Sequence, residues 1–301
     1  MESRLPRFNR AAEVAPMQLE ERDRHIIRLV HRHRFLRSHQ IIALLGGSPQ
    51  QLSRRLKLLY HHGYLERPRA QLQYYERGGS CSIAYGLGNK GVALLKQEHG
   101  FAVDPHSWNE KNHVIGRVYL EHALLVADVM VAIELACRKR GDIRLLYEDQ
   151  LALRSERQPF QWRVKIQNGW KLGVVPDRVF ALEFPDASGI SQRAYFFLEA
   201  DRGTMPVMRR TLSQTSFCRK LLAYESTWTQ KIHQRQLGIH RFRVLTITTS
   251  AARVKSLVEA CSQLKRGHGL FLFADKAVLS GDILSAAWHT GKPGETGGLF
   301  D

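Results

Sequence analysis

Three carboxylates lie close together in two apolar segments near the middle of the chain. Asp177 lies near the start of an apolar run, residues 174–182, and Glu199 and Asp201 end a second run that begins at Ala194. Hard divalent cations such as Mg²⁺ take oxygen ligands that converge from separate chain segments. The three carboxylates are therefore candidate ligands of a metal ion.

Two strands joined by a hairpin are the elements that would position these carboxylates. Turn-forming residues separate the two apolar runs, and they are Pro185, Asp186, Ser188 and Gly189. Pairing of the runs would bring the carboxylates to one shared face. A plain hairpin with acidic ends is the alternative that the spacing alone leaves open.

Charge is the informative part of the composition. The 301 residues include 45 Lys and Arg against 28 Asp and Glu, which gives a formal net charge of +17. Such a balance indicates a polyanionic partner, and nucleic acid is the commonest one. A membrane surface is not expected as the partner, because we find no basic amphipathic helix in the sequence.

Cysteine usage and targeting signals predict a cytoplasmic protein. Cys81, Cys137, Cys218 and Cys261 lack a paired spacing, so neither a zinc site nor a disulfide framework is expected. No segment has the apolar length of a signal peptide or a spanning helix.

The first hundred residues predict three short helices and a hairpin. Residues 1–17 are expected to be a flexible basic lead-in, followed by a domain over residues 18–100. The helices are predicted from Glu20 to Phe35, from Ser38 to the glycines at 46 and 47, and from the N-cap Ser48 to Gly63. A polar stretch, an apolar strand at 83–87 and a closing helix at 89–98 would follow.

This order, with the segments GYLERP and YGLGNKGVALL, resembles bacterial winged-helix domains, which bind DNA through the third helix. On that reading the candidate DNA contacts on the third helix are Gln50, Gln51, Ser53, Arg54, Arg55 and Lys57, and those on the wing are Arg67, Arg69 and Arg77. Two alternatives stay open, namely that the charges only solvate a helix face and that the domain binds protein.

A linker at 101–115 precedes a second predicted domain over residues 116–276. Its expected elements are a long helix at 116–138, strands, a helix from Met205 to about Gln230, a strand, a helix at 251–264 and a short last strand. The fold class is therefore α/β, or α+β for the whole chain. The glycine-rich segment from Thr290, within a C-terminal tail at 277–301, is expected to be mobile.

The element order of the second domain resembles the PD-(D/E)xK restriction-endonuclease-like fold. Pro176-Asp177 and Glu199-Ala-Asp201 match that superfamily's motif except at the last position, where Asp201 replaces lysine. Together with the winged helix, the strand FFLEADRGT resembles the replication-relaxation family of plasmids and integrative mobile elements. The resemblance covers about residues 18–275.

The resemblance implies that Asp177 and Glu199 hold Mg²⁺ beside a scissile phosphate. In that superfamily the lysine orients the nucleophile and offsets negative charge on the phosphoryl group, which an aspartate cannot do. Asp201 is therefore either a third metal ligand or a sign that the site has lost its catalytic activity. Lys220, four residues before Tyr224, resembles the Q-x-x-x-Y spacing of a related branch and is a candidate catalytic residue, with a snorkelling lysine as the alternative.

Acidic residues on the long helix and the residues after the motif strand complete the candidate set. Glu121 and Glu134 are candidates for an extra acidic metal ligand, with surface or capping roles as the alternative. Arg202 could contact a phosphate, and Thr204 is expected to cap the next helix.

Three functions remain open from the sequence. The first is a DNA-binding protein of mobile-element replication or transfer with an inactive or atypical nuclease-like domain. The second is a Mg²⁺-dependent DNA endonuclease or nickase, and the third is a winged-helix transcriptional repressor. The expected partners are double-stranded DNA, other replication or transfer proteins and a second copy of the chain, without a membrane.

Overall fold

A computed structural model of the chain describes residues 6–72, 82–99, 112, 114–151, 160–166, 169–186 and 188–301. The chain forms two compact units, Met1–Val131 and Ala132–Asp301. Both units combine helices with β-sheet, so the mixed α/β class predicted from the sequence is confirmed.

Among the residues that the structure describes, unit 1 contains four α-helices and the first part of a fifth. They are α1 Glu21–His33, α2 Ser38–Leu45, α3 Pro49–His61, α4 Asn89–His99 and the start of α5 Arg117–Arg140. The start of α3 follows the predicted rule, because the Ser48 hydroxyl accepts a hydrogen bond from the Gln51 N–H and proline occupies the first helical position. The apolar faces of α1 and α3 are buried, which accounts for their helical spacing in the sequence.

The described part of unit 1 also contains three short strands. They are β1 Leu36–Arg37, β2 Leu65–Glu66 and β3 Ala84–Leu87, paired antiparallel in the order β1-β3-β2. The predicted apolar strand before α4 is therefore confirmed from Ala84 onward. The predicted polar stretch that contains Arg77 lies outside the described residues between 72 and 82.

The prediction of a flexible lead-in is wrong for residues 6–17, the part of it that the structure describes. Arg10 donates to the carbonyl oxygen of Tyr60 at 3.1 Å and forms an ion pair with Glu66 at 2.7 Å. The Ala11 N–H donates to Nδ1 of His61 at 3.2 Å. Because Glu66 is buried, Arg10 supplies the positive charge that its carboxylate needs, and this ties the segment to the end of α3.

The long helix α5 is confirmed, but the two compact units divide within it. Its first turns pack in unit 1, where Leu120 and Leu124 join Phe35 in one buried cluster. Farther along, Glu134 belongs to unit 2 and accepts a hydrogen bond from the Tyr147 hydroxyl. None of the helices in the described part of the chain has the length and apolar character needed to cross a bilayer.

A seven-stranded sheet forms the centre of unit 2. Its order is β12-β11-β10-β9-β8-β7-β4, in which β8–β9 and β9–β10 are parallel and the other pairs are antiparallel. The strands are β4 Arg144–Tyr147, β7 Arg178–Pro185, β8 Ser191–Ala200, β9 Arg243–Thr248, β10 Phe271–Asp275, β11 Trp288–Thr290 and β12 Thr296–Gly297. The predicted hairpin is confirmed as β7–β8, with partners from Arg178↔Leu198 to Pro185↔Ser191. A separate antiparallel pair consists of β5 Trp162–Lys165 and β6 Lys171–Val174.

Helices connect the parallel strands, as parallel pairing requires. The first crossover, between β8 and β9, contains α6 Phe217–Thr229 and α7 Ile232–Leu237, and the second, between β9 and β10, contains α8 Ala251–Ser262. A large buried cluster that includes Phe197, Tyr224 and Phe242 fills the space between these helices and the sheet.

The predicted helix from Met205 begins instead at Phe217. Residues 201–216 form a loop. Its early residues include Pro206 and also Gly203, whose backbone is left-handed with a φ of 72°. Residues 209–215 are polar except for Leu212, so they provide no continuous apolar helix face. Thr204 consequently lies within this loop and does not cap a helix, contrary to the sequence expectation.

The C-terminal residues, expected to be a mobile tail, form part of the sheet. Trp288 in β11 is 0% exposed, and β11 pairs with β10 through Leu272↔Thr290. Ile283 and Leu299 are also buried. Burial of these few apolar side chains stabilises the last strands, and this stabilisation exceeds the cost of ordering the many glycines around them.

Replacing Trp288 by alanine tests the incorporation of the C-terminal strands. We expect Trp288→Ala to lower the free energy of unfolding by about 3–5 kcal/mol, since a large buried side chain leaves a cavity. Trp170→Ala is the matched control, because Trp170 is 48% exposed, and it should change stability by less than about 0.5 kcal/mol. Urea denaturation followed by circular dichroism measures both. Equal stability of the two variants would contradict the placement of Trp288.

Candidate functional site

A buried carboxylate at the end of the central strand forms the centre of the candidate site. Glu199 lies near the carboxyl end of β8 and is 2% exposed. Its Oε1 accepts a hydrogen bond from the Tyr224 hydroxyl at 2.6 Å, and its Oε2 forms an ion pair with Nζ of Lys220. Lys220 and Tyr224 lie one turn apart on α6 and therefore reach the same carboxylate.

Packing around Tyr224 fixes this arrangement. The Tyr224 ring is buried and stacks on Phe197 of β8, with the ring centroids 5.9 Å apart. Leu221 on the same helix is buried in the same cluster. Because the apolar face of α6 docks on the strand that carries Glu199, the helix presents Lys220 and the Tyr224 hydroxyl to that carboxylate.

Asp177 is the second carboxylate that the structure brings to this point. It immediately precedes β7, where its N–H donates to the carbonyl oxygen of Leu198 at 3.0 Å. Its Oδ2 accepts a hydrogen bond from the Ala200 N–H at 2.7 Å. The backbone of β8 thus holds Asp177 beside the residues that flank Glu199, as the predicted hairpin required.

The electrostatics of this group follow from burial and from the charges around Glu199. The pKa of Glu199 is raised to about 7, because burial and the neighbouring Asp177 carboxylate raise it by more than the Lys220 ammonium and the hydrogen bonds from Lys220 and Tyr224 lower it. Burial alone lowers the pKa of Lys220, but attraction by Glu199 and Asp177 outweighs it and the net direction is upward. Burial also raises the pKa of Tyr224 well above its ordinary value, so its hydroxyl remains a donor.

Asp201 makes a separate network. Its buried carboxylate accepts hydrogen bonds from the Thr248 hydroxyl at 2.7 Å, from Nε of Arg253 at 2.8 Å and from the Gly203 N–H at 3.1 Å. Arg253 lies on α8 and Thr248 ends β9. Asp201 therefore joins β8 to the next crossover and holds the start of the following loop.

The acidic candidates on α5 have partners of their own. Glu121, in unit 1, accepts a hydrogen bond from Nε of Arg117 at 2.6 Å. Glu134, in unit 2, pairs with Arg138 one turn away and with the Tyr147 hydroxyl. Among the residues that the structure describes, no cluster of three or more His, Cys, Asp or Glu side chains could hold a metal ion.

The acidic pair nevertheless fits one mode of Mg²⁺ binding. Asp177 and Glu199 supply two carboxylates from neighbouring strands. Mg²⁺ is commonly held by one or two carboxylates while water and substrate phosphates complete its octahedral shell. The donor set is therefore compatible with a Mg²⁺ ion that binds together with a phosphate, and it does not form a closed protein cage.

The candidate contacts on α3 divide into exposed and structural side chains. Gln50, Gln51, Ser53 and Arg54 are exposed, and Lys57 is half-buried. Arg55 instead bonds to the buried carboxylate of Asp23 on α1, with its Nε 2.7 Å from Oδ1. Four of the six residues predicted on α3 are therefore exposed to solvent.

The predicted wing arginines also separate. The guanidinium of Arg67 is buried, lies 4.2 Å above the centroid of the Tyr60 ring and donates to the Tyr85 hydroxyl at 3.1 Å. Arg67 is therefore a packing residue, contrary to its expected place on an exposed wing. Arg69 is exposed, and Arg77 lies outside the described residues.

Two residues of the site were not singled out from the sequence, namely Arg253 and Thr248. A usable signal existed, because the strand ending at Thr248 and the helix after Ser250 were both predicted. Parallel neighbouring strands end at the same edge of a sheet, so Thr248 and the first turn of α8 lie beside the end of β8.

The raised pKa of Glu199 predicts a pH-dependent stability. Between its ordinary value of 4.5 and about 7, the folded chain binds a proton that the unfolded chain has released. This contribution to the free energy of unfolding is complete below 4.5 and is lost as the pH rises through about 7. Urea denaturation of the wild type and Glu199→Gln at pH 5 and pH 8 isolates it, because other groups cancel in the difference. We expect the wild type to lose stability relative to the variant on going to pH 8. An equal difference at the two pH values would contradict the burial effect.

The comparisons with known proteins identify the family. A family model described as replication-relaxation matches residues 27–241, which run from α1 to the residues just before β9. No curated protein and no solved structure matches the chain. The match includes the helices of unit 1, the β7–β8 hairpin and the helix that carries Lys220. The chain belongs to the replication-relaxation family.

Proposed function

We propose that this chain is a DNA-binding protein that acts in the replication, relaxation or transfer of plasmids or integrative mobile elements. In this proposal unit 1 is a winged-helix domain that binds duplex DNA. Unit 2 is an atypical PD-(D/E)xK nuclease-like domain that contacts DNA without cutting it. The observation that carries the proposal is the exposed face of α3, in a chain with a net charge of +17 that belongs to this family.

The form of unit 1 supports DNA binding through α3. The short turn between α2 and α3 contains Gly46 and Gly47, with φ values of 70° and 84° that glycine adopts easily. The helix then exposes two glutamine amides, a serine hydroxyl and the Arg54 guanidinium. In protein–DNA complexes, side chains of these types form hydrogen bonds with base edges in the major groove and with phosphates.

The contacts of the acidic site favour binding without cleavage. Both oxygens of Glu199 already have protein partners, Lys220 and Tyr224, and Asp177 has a backbone donor. The Asp201 carboxylate is taken up by Arg253 and Thr248. No lysine extends from the motif strand itself, and the Asp201 carboxylate in its place cannot offset negative charge on a phosphate.

An active Mg²⁺-dependent endonuclease is the second candidate, and the position of Lys220 favours it. Lys220 reaches Glu199 from α6, so a lysine is present beside the acidic pair although the strand lacks one. Asp177 and Glu199 would hold Mg²⁺, which polarises a scissile phosphate and lowers the pKa of water. Lys220 would then offset the negative charge that develops on the phosphoryl oxygens, and Tyr224 would orient Glu199.

Substitution of Arg54 tests DNA binding through α3. We expect Arg54→Ala to weaken duplex binding and, if the guanidinium contacts one phosphate, to reduce the log-log salt slope by about 0.9. Fluorescence anisotropy over a series of salt concentrations measures both quantities. Unchanged affinity and slope would show that α3 does not contact DNA.

Arg55→Ala is the matched comparison on the same helix. Its loss leaves the buried Asp23 carboxylate without its cationic partner, so unfolding of unit 1 should become easier by about 3–5 kcal/mol. Arg54→Ala should leave thermal unfolding unchanged because its side chain is exposed. The pair of variants thus separates loss of contact from loss of fold.

A nicking assay separates the two candidate functions. We expect the wild type to leave supercoiled plasmid intact in Mg²⁺ or Mn²⁺ while it still binds the DNA, because Glu199 is occupied by Lys220 and Tyr224. Asp177→Ala, Glu199→Ala and Lys220→Ala should then behave alike. Nicking that these three substitutions abolish and Glu183→Ala preserves would establish the endonuclease. Glu183 is a suitable control because it lies on the same hairpin and, among the described residues, forms its ion pairs with two exposed arginines, Arg144 and Arg193.

A further inference from the structure

The loop between β8 and α6, residues 201–216, begins with the site residue Asp201, but its outer part has no role in the functions considered so far. It joins the strand that carries Glu199 to the helix that carries Lys220, so both of its ends lie at the acidic site. Loops of about this length without secondary structure are uncommon in compact domains and usually have a function. A polymer bound at the acidic site would therefore meet this loop.

The base of the loop is held firmly. The amides of the first two residues of α6 donate to the carbonyl oxygens of Pro206 and Val207, both at 2.9 Å. The Arg253 guanidinium, which binds Asp201, also donates to the carbonyl oxygen of Met205. These bonds give the outer part of the loop a fixed support.

The outer part, residues 208–215, is exposed throughout. Met208 is 45% and Leu212 is 40% exposed, which places two large apolar side chains in water. Between them lie Arg209 and Arg210, whose side chains have no hydrogen bond or ion pair to any part of the chain that the structure describes. The sequence MRRTL at residues 208–212 therefore presents two cations flanked by two apolar side chains.

The charge around this loop selects the class of partner. From residue 202 to residue 224 the chain contains five basic residues and no acidic one: Arg202, Arg209, Arg210, Arg219 and Lys220. A polyanion complements such a segment. Proteins that bend DNA commonly insert apolar side chains between base steps from the minor groove while cationic side chains hold the backbone.

We propose that residues 208–212, which we call the loop tip, form a wedge that binds duplex DNA. Arg209 and Arg210 contact backbone phosphates, and Met208 and Leu212 enter a base step and partly unstack it. The inference rests on the proposed DNA-binding function and adds a second contact, on unit 2, which distorts the duplex.

Two double variants of the full chain test the loop tip, with Arg241→Ala as a matched control. Arg241 is an exposed arginine elsewhere on unit 2, with no hydrogen bond or ion pair among the described residues. The probe is a duplex that carries 2-aminopurine, whose fluorescence rises when its base is unstacked. All variants alter exposed side chains, so thermal unfolding should match that of the wild type.

We expect the two double variants to lose different properties. Arg209→Ala with Arg210→Ala should lower the log-log salt slope by about 1.8, so that the loss of affinity between 50 and 200 mM salt becomes about tenfold smaller. Met208→Ala with Leu212→Ala should keep the wild-type slope but return the 2-aminopurine signal to that of the free duplex. Arg241→Ala should behave as the wild type.

The outcomes distinguish failure of the wedge from failure of the proposed function. A wild type that does not bind duplex DNA would overturn both. Binding that Arg54→Ala weakens, but that neither loop-tip variant alters, would overturn the wedge and leave the proposed function standing. A wild type that binds without any rise in 2-aminopurine fluorescence would also overturn the wedge.

Discussion

Burial of the Glu199 carboxylate is the constraint on which the organisation of unit 2 depends. A buried charge needs compensation, and here both partners come from one turn of α6. The helix must therefore pack against β8 at the position of Glu199. This position in turn sets the path of the crossover to β9. Phe197 and Tyr224 stack in the same region, so the apolar packing and the polar network favour the same position of the helix. The residues that form the candidate site consequently also hold the core of unit 2 together.

A second buried carboxylate fixes the next connection. Asp201 lies two residues after Glu199, yet its partners are Thr248 of β9 and Arg253 of α8. One carboxylate thus joins β8 to the first crossover, and the other joins it to the second. The Asp201 carboxylate is thus compensated within the fold despite its burial. It also holds the base of the loop that follows, which bears the exposed Arg209 and Arg210.

The net charge of +17 overstates the number of arginines that are available to a polyanion. Arg10, Arg55, Arg67 and Arg253 each neutralise a buried carboxylate, cover an aromatic ring or do both. Other arginines, such as Arg54, Arg209 and Arg210, are exposed. Family membership and the positions of these exposed cations therefore carry more weight for the proposed DNA binding than the composition does. The same distinction separates the positions where substitution would remove a contact from those where it would weaken the fold.

The sequence by itself determined most of the order of helices and strands as far as β10, the β7–β8 hairpin, the family resemblance and the placement of Lys220 and Tyr224 on one helix face. These features depend on local periodicity, turn residues and spacing, which a chain segment carries with it. Only the tertiary structure decided which charged side chains are committed to the fold. Nothing local marks Arg55 as the partner of Asp23, Arg67 as a residue packed on Tyr60, or Arg253 as the partner of Asp201. Their partners lie 32, 7 and 52 positions away in the chain, and folding alone brings those atoms together. The same holds for Trp288, whose burial depends on a neighbouring strand that the glycine-rich sequence around it does not reveal.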